Sequence, residues 1–166
     1  MNNFNTFYND ESCNIEKFEK LIKQKLDINL LSHCSEIIEN VPIYNMNSLK
    51  KNLSDPNKRI LLMSEWAYIF SKSSGVVVLK NTYEDTSSID LATKIYEKII
   101  IEEKEKNIGG SDHYAKPGAN DRIWNSLQKL CEKDPLVFAK YFGNEVIGAV
   151  CESFLGPGYQ MTAQVN

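Results

Sequence analysis

The chain has 166 residues, a formal net charge of -3 and a sequence pI of about 5.5. This length suits one domain with an appended segment, and 42% hydrophobic residues are enough to build a core. The lysines are interleaved with glutamates and form no basic stripe, so we expect no nucleic-acid partner. No apolar run approaches the roughly 20 residues of a membrane span, so we expect no membrane partner. Residues 1–12 lack the basic and apolar regions of a secretory signal, and a cytoplasmic location is the expectation.

Helical spacing dominates the first third of the chain. Residues 1–14 are rich in asparagine, and over residues 15–26 the apolar side chains recur at the period of an amphipathic helix. A second helical pattern covers residues 30–41, and a proline ends it. Residues 42–58 are predicted to be a connection. Residues 1–58 are therefore interpreted as a partly disordered leader with one or two helices.

A long helix, a strand and another long helix are predicted next. Asp55 as N-cap and Pro56 in the first turn mark the start of the first of these helices. The stretch "GVVVLK" (75–80) is the clearest strand, because it is rich in β-branched residues and too short for a helix. Apolar residues at helical spacing over 89–100 predict the second helix. We interpret "EEKEKN" (102–107) as its solvated end.

The last third is predicted to contain a polar loop, three short helices and a terminal strand. The loop "GGSDHYAKPGAND" (109–121) leads into "RIW", where we expect a short strand. Helices are expected at 126–132, 135–142 and 145–154, and "GPG" (156–158) ends the last one. The strands of this chain are too few for a sheet, so we expect the sheet to be completed by residues beyond this sequence or by another chain.

The stretch "DHYAKPGANDRIW" concentrates polar and aromatic residues, and two interpretations stay open. In the first, it is a ligand-facing loop in which Arg122 pairs with a carboxylate and Trp124 walls the pocket. In the second, it is an ordered loop tied by its own turns. A further hypothesis is an independent enzyme site that uses His113 with Asp112 or Asp121, although no local motif supplies a metal or oxyanion partner.

The terminal strand carries an amide-rich face. Strand residues alternate sides, so Gln160, Thr162, Gln164 and Asn166 share one face. This face is either the solvent side of an edge strand or the inside of a small β-barrel that holds a polar ligand. The row lacks the charged residues that protect an edge from pairing, which favours the inside of a barrel.

Three stretches in this order resemble blocks of the bacterial phytanoyl-CoA dioxygenase family: "EWAYIFSKSSGVVVLKN", "DHYAKPGANDRIWNSLQKLC" and "FLGPGYQMTAQVN". Members of this family are iron(II)- and 2-oxoglutarate-dependent oxygenases. The resemblance covers residues 59–166 and implies an α+β fold. N-terminal helices would flank the first strands of a double-stranded β-helix of the jelly-roll or cupin-like type, truncated before the barrel is complete. Residues 59–166 would thus be an incomplete dioxygenase domain.

The resemblance also implies a cofactor set and site residues. Fe(II) and 2-oxoglutarate are expected for the full-length protein together with a small-molecule substrate, and neither cofactor is expected for this chain alone. In the family, the His-x-Asp pair, the distal His and the Arg that anchors 2-oxoglutarate all follow the strand at which this sequence stops. The positions that match cofactor-binding residues are Arg122, Gln164 and Asn166. Those that match substrate-binding residues are His113, Trp124, Gln160 and Thr162.

The expected function is that of an N-terminal fragment of a dioxygenase (hydroxylase) that is inactive alone because its iron site is absent. The alternative is a non-catalytic helical binding or scaffold protein that pairs through its exposed C-terminal strand. Whether this chain by itself is an enzyme stays open. In either case the strand is expected to pair with the missing C-terminal part or with another chain.

Overall fold

The computed structural model describes residues 9–108 and 121–162, which form seven α-helices and three β-strands. The helices are α1 (Ile15–Ile22), α2 (Met46–Leu53), α3 (Pro56–Lys72), α4 (Ser87–Glu105), α5 (Ser126–Lys133), α6 (Pro135–Phe142) and α7 (Glu145–Leu155). The strands are β1 (Glu36–Ile38), β2 (Val41–Asn45) and β3 (Val78–Lys80). Short 3-10 turns lie at Asp10–Ser12 and Ile28–Leu30. The fold is α+β, and helix predominates.

The three strands form one sheet in the order β1-β2-β3. β1 and β2 are antiparallel with Glu36 opposite Ile43, whereas β2 and β3 are parallel with Ile43 opposite Val78. Glu39 and Asn40 alone connect β1 to β2, and both have positive φ angles, of 48° and 70°. Two consecutive left-handed residues are the signature of the tight hairpin turn that matches the twist of its flanking strands.

Three predictions for this part of the chain are wrong. The helix predicted over residues 30–41 is a 3-10 turn followed by β1 and the start of β2. The connection predicted over residues 42–58 contains most of β2 and all of α2, although the start of α3 at Pro56 is where its sequence predicts. The expectation that the chain has too few strands for a sheet fails for the same reason, because β1 and β2 complete a sheet with β3. Apolar residues four and three apart fit a helix, but strands this short show too little alternation to compete with that pattern.

The first core joins the sheet to α2, α3 and α7. Tyr44, Met46, Trp66 and Val146 are completely buried in it, and the Tyr44 ring meets the Trp66 ring edge-on with centroids 6.0 Å apart. Residues before and after position 58 therefore share one core. The domain boundary predicted between residues 58 and 59 falls inside this packed unit.

The second core lies between α4, α5 and α6. Ala92, Leu130 and Val137 form its buried centre, and Tyr96 and Tyr141 pack against them edge-on with ring centroids 6.3 Å apart. The helices that build it lie within about fifty residues of one another in the chain. It is thus a more local assembly than the first core.

The stretch 102–107 is more than a solvated helix end, so that prediction is wrong for part of it. Glu103 is 9% exposed and forms an ion pair with Lys129 of α5. Glu102 pairs with Lys133, also on α5, with 2.8 Å between Nζ and Oε2. Acidic residues of α4 therefore face basic residues of α5 and hold the two helices together.

Local signals placed the other helices well. Asp55 accepts hydrogen bonds from the Asn57 and Lys58 N–H groups and caps α3, as its sequence predicts. α5, α6 and α7 lie within one residue of their predicted bounds, and β3 is confirmed as a shorter strand. In the ranges given above, no helix is both long and apolar enough to cross a membrane.

Candidate functional site

A cavity of about 600 Å³ lies where α6 turns into α7. Its wall is mainly apolar, and aromatic side chains contribute much of it. The aromatic residues of the lining are Tyr83, Tyr141, Phe142 and Tyr159. A concave, largely apolar site of this size with few polar groups is typical of a pocket for a small molecule.

The corner between α6 and α7 depends on a glycine and an asparagine. A Cβ atom at Gly143 would lie 2.5 Å from the Ala139 carbonyl oxygen, so a larger residue would force α6 and the corner apart. Asn144 then caps α7 by accepting the Val146 N–H at 2.9 Å and the Ile147 N–H at 3.2 Å. The corner that forms the cavity floor is thus fixed by local backbone geometry.

The loop after β3 holds this corner from the other side. The Tyr83 hydroxyl donates to the Tyr141 carbonyl oxygen at 2.8 Å, and the Asn144 amide donates to the Thr82 carbonyl oxygen at 3.1 Å. Burial raises the pKa of the Tyr83 hydroxyl above its ordinary value, with a further contribution from Tyr141. The Tyr83 hydroxyl therefore stays protonated to a higher pH than a free tyrosine, and it acts as a hydrogen-bond donor at the cavity wall.

The segment after α7 folds back to close the cavity. Gly156, with a φ of 87°, ends the helix, and the Tyr159 N–H donates to its carbonyl oxygen at 3.2 Å. The Tyr159 hydroxyl then lies 3.6 Å from where a Cβ atom at Gly148 would stand. Met161 and Thr162 complete this side of the wall.

The terminal strand is not seen where the structure describes its residues. Residues 159–162 belong to no strand, because the chain curves over α7 after Gly156. Without a strand, the prediction that Gln160 and Thr162 share one face and Met161 lies on the other is wrong as well. Met161 and Thr162 both line the cavity, while Gln160 is exposed and lies outside the lining. Gln164 and Asn166 lie outside the described residues, so pairing through the rest of this segment stays a prediction.

The other predicted site residues are not brought to this cavity. Arg122 is exposed and takes part in an isolated β-bridge where a strand was expected. Trp124 is 46% exposed. Neither belongs to the cavity lining. Asp121 pairs with Lys104, with 2.9 Å between Oδ1 and Nζ. His113 and Asp112 lie outside the described residues. Of the predicted site residues that the structure describes, Thr162 alone lines the cavity.

A buried carboxylate in the first core went unnoticed in the sequence. The Glu65 side chain is 8% exposed and accepts hydrogen bonds from the Tyr44 hydroxyl at 2.8 Å and from the Ser32 N–H at 2.9 Å. His33 Nδ1 lies 2.9 Å from the same carboxylate, and the His33 N–H donates to it as well. We call these four residues the Glu65 network. Its members lie up to 33 residues apart, so no local pattern pointed to it.

The Glu65 network is built for structure. Both carboxylate oxygens already accept hydrogen bonds, which leaves Glu65 little capacity to bind a further group. Throughout residues 9–108 and 121–162, no three side chains of His, Cys, Asp or Glu come together in a group that would hold a metal ion. These residues do not fit the iron that the family resemblance implies, because iron(II) of that type needs two imidazoles and a carboxylate on one face.

The chain was also compared with known proteins. A scan against protein-family models, a search of curated proteins and a search of solved structures each found no match to it.

Proposed function

We propose that this chain contributes the helical layer and one wall of the substrate cavity of an iron(II)- and 2-oxoglutarate-dependent dioxygenase of the phytanoyl-CoA dioxygenase type. The observation that carries the proposal is the position of Thr162. The family resemblance assigns this residue to substrate binding, and it lines the cavity at the α6–α7 corner beside Met161. The sequence motif and the geometry thus point to the same surface.

The role proposed for the described residues is binding. The aromatic and aliphatic wall would hold the apolar part of a small molecule and exclude water, and the Tyr83 hydroxyl would keep the corner rigid by its hydrogen bond to Tyr141. The described residues do not fit iron, so we assign them no step in the oxidation. Fe(II) and 2-oxoglutarate remain part of the proposal for the full-length protein.

The deciding test is the nucleotide sequence that follows the Asn166 codon. A dioxygenase requires codons for a His-x-Asp pair shortly downstream in some reading frame, followed later by a His and an Arg. Finding them would support the proposal. A downstream sequence without such codons in all three frames would remove it.

Elemental analysis of the purified chain provides a second test. Because the described residues form no ligand set, we expect iron far below one atom per chain after purification in the presence of Fe(II). One tightly held iron per chain would contradict this division of roles, since it would place the metal site within the present sequence.

A variant pair tests the cavity separately from the chemistry. Gly148→Leu would fill the space beneath the Tyr159 hydroxyl, whereas a side chain at Gly158 meets nothing within 4 Å, so Gly158→Leu is the matched control. We expect the native chain and Gly158→Leu to bind the apolar probe 1-anilinonaphthalene-8-sulfonate, and Gly148→Leu to bind it about tenfold more weakly. Equal binding by all three, at equal thermal stability, would mean that the cavity takes up no apolar ligand.

A further inference from the structure

The edge of the cavity at the α6–α7 corner carries an excess of negative charge. Among the residues that the structure describes, Glu145 is the one charged member of the lining. Its carboxylate lies 4.0 Å from the Lys50 ammonium, but Glu84 holds that ammonium more closely, at 2.8 Å. Two carboxylates therefore share one ammonium group, and the charge of Glu145 is only partly balanced. Such an edge attracts a positively charged ligand and repels a negatively charged one.

The aromatic rings of the lining are suited to a cation as well. The face of an aromatic ring attracts an ammonium group within about 6 Å of its centre, most strongly where water is excluded. The Tyr83 hydroxyl is bonded to the Tyr141 carbonyl oxygen, and the Tyr141 ring packs against Tyr96. The Phe142 ring stacks on Phe138 with centroids 5.6 Å apart. Rings that are already held by the fold lose little freedom when a ligand binds.

An anionic ligand is a poorer match, although the N-terminus of α7 lies beside the cavity. A helix N-terminus attracts anions through its unpaired N–H groups. Here the Asn144 side chain already accepts the Val146 and Ile147 N–H groups, and the Asn144 carbonyl oxygen accepts the Gly148 N–H. The remaining N–H of the first turn belongs to Glu145, whose own carboxylate repels an anion.

We propose that the cavity binds an organic cation, a molecule with an apolar or aromatic body and a substituted ammonium group. The ammonium group would lie among the aromatic rings on the side of Glu145, and the body would lie along Leu127, Ile147 and Met161. This assignment names the chemical class of the substrate, and it rests on the role of substrate site proposed above for the cavity.

Three phenols that differ in one substituent test the charge preference of the native chain. The compound (3-hydroxyphenyl)trimethylammonium is a cation, 3-tert-butylphenol is its neutral counterpart of the same shape, and 3-hydroxybenzenesulfonate is an anion. By isothermal titration calorimetry, we expect the Kd of the cation to be about tenfold below that of the neutral phenol, and the anion to bind most weakly. Equal or weaker binding of the cation than of either other phenol, or no binding of the cation, would overturn the proposal.

This series is needed because the anilinonaphthalene probe carries a sulfonate. The probe reports on the apolar wall, whereas the phenols compare three charges on one skeleton.

Opposite changes at Glu145 and Lys50 test the source of the preference. Glu145→Gln should raise the Kd of the cation about threefold to fivefold and leave that of the neutral phenol unchanged. The effect is modest because the Glu145 side chain is 54% exposed and water screens its charge. Lys50→Gln should lower the Kd of the cation about twofold, because the two carboxylates lose their shared ammonium.

Glu97→Gln on the exposed side of α4 is the matched control and should bind the cation as the native chain does. A Kd for the cation that stays the same in both Glu145→Gln and Lys50→Gln would overturn the placement of the ammonium group beside Glu145.

The glycine variants locate the binding site of the phenols. Gly148→Leu should weaken the cation and the neutral phenol by a similar factor, whereas Gly158→Leu should weaken neither. Cation binding that Gly148→Leu leaves unchanged would place the site elsewhere and overturn the proposal.

These measurements are independent of iron and of any residue beyond Asn166. Binding of the anilinonaphthalene probe without a preference for the cationic phenol would overturn the organic-cation proposal alone. A downstream sequence without a His-x-Asp pair would remove the dioxygenase proposal and leave the measured preference standing.

Discussion

Two tyrosines occupy similar places in the two cores but differ in what their hydroxyl groups meet. Tyr44 packs edge-on against Trp66, and its hydroxyl donates to Glu65 at 2.8 Å. Tyr96 packs edge-on against Tyr141, but its buried hydroxyl has no hydrogen-bond partner within the described part of the chain. Aromatic packing therefore does not decide whether a buried hydroxyl is satisfied. The first core contains the Glu65 network, although the buried Trp66 Nε1 has no partner among the described residues either, whereas the buried centre of the second core (Ala92, Leu130 and Val137) is apolar.

The polar contacts of the two cores lie in different places. The Glu65 network joins a loop at residues 32–33, strand β2 and helix α3 within the first core. Directed hydrogen bonds can specify one arrangement of these segments where apolar contacts would allow several. In the second core, the ion pairs between α4 and α5 lie outside the buried cluster of Ala92, Leu130 and Val137. The comparison predicts that loss of a tyrosine hydroxyl will matter in the first core and hardly at all in the second.

Removing the carboxylate of Glu65 should have the largest effect. Glu65→Ala leaves the Tyr44 hydroxyl, the Ser32 N–H and the His33 donors unpaired in a mostly buried place. We expect the free energy of unfolding to fall by about 3–5 kcal/mol, because several hydrogen bonds to one carboxylate are lost together and each is worth about 1.5–3 kcal/mol. This loss of stability is measured by urea denaturation, with unfolding monitored by circular dichroism. Glu97→Ala on the exposed side of α4 is the control, and a similar loss in both variants would contradict the role given to the network.

Removing one donor from the network should have a smaller effect. Tyr44→Phe keeps the ring against Trp66 but deletes the hydrogen bond to Glu65. We expect a loss of about 1.5–3 kcal/mol, the usual range for a hydrogen bond to a charged group. In a double variant with Glu65→Ala the two losses should not add, because they remove the same contact. Full additivity would show that Tyr44 and Glu65 act separately.

Alkaline pH probes both tyrosines in one measurement. Burial raises the pKa of Tyr44 far above its ordinary value, with the Glu65 hydrogen bond and charge adding to it, and burial raises the pKa of Tyr96 to about 12. An unfolded chain ionises its tyrosines near pH ~10, so above this pH it binds fewer protons than the folded protein. The stabilisation is complete below that pH and is lost as the pH rises through the folded pKa values.

We therefore expect the urea midpoint to fall between about pH 9 and about pH 11, and the fall to be smaller in Tyr44→Phe than in the native chain. The pH dependence of that variant would retain the contributions of Tyr96 and Tyr83, whose pKa values are also raised. An identical pH dependence in both proteins would contradict the assignment of the larger shift to Tyr44.

The smallest effect is expected in the second core. Tyr96→Phe removes a buried hydroxyl that has no partner among the described residues, and keeps the ring against Tyr141. We expect the free energy of unfolding to stay the same or to rise by about 0.5–1 kcal/mol, because an unsatisfied polar group leaves the interior. A loss as large as that of Tyr44→Phe would erase the contrast between the two cores.

How far the sequence predicts the structure depends on how local the signal is. α3 and α6 were predicted well because an aspartate cap and a proline mark the start of each. β1 and β2 were missed because three to five residues carry little periodicity, and the decisive feature is the left-handed turn at Glu39 and Asn40. Pattern reasoning is weakest where strands are short and the turn residues are not glycine.

The residues of the candidate site also differ in how far the sequence could predict them. Thr162 came from a family resemblance, and the cavity lining includes it. Tyr83 was missed because its role arises from a contact with Tyr141, 58 residues away in the chain. Gly143 was missed although its close approach to the Ala139 carbonyl is local. Arg122 and Trp124 came from the composition of their loop and from the same family resemblance, and neither lines the cavity. The Glu65 network has no sequence signature, because its partners are brought together only by the fold.

The two-residue turn between β1 and β2 cannot be lengthened without breaking contacts that Asn40 makes. The Asn40 backbone adopts the left-handed conformation that the hairpin turn requires. Its side chain accepts a hydrogen bond from the Leu26 N–H and donates one to the Gln24 carbonyl oxygen. One residue inserted at this turn would still let β1 and β2 pair through a longer loop, but it would carry the Asn40 amide away from its two contacts. The residues around Gln24 would then lose these two hydrogen bonds and be held to the first core by the packing of Leu26. Turn length, more than turn composition, thus decides how firmly the N-terminal segment is held to the rest of the molecule.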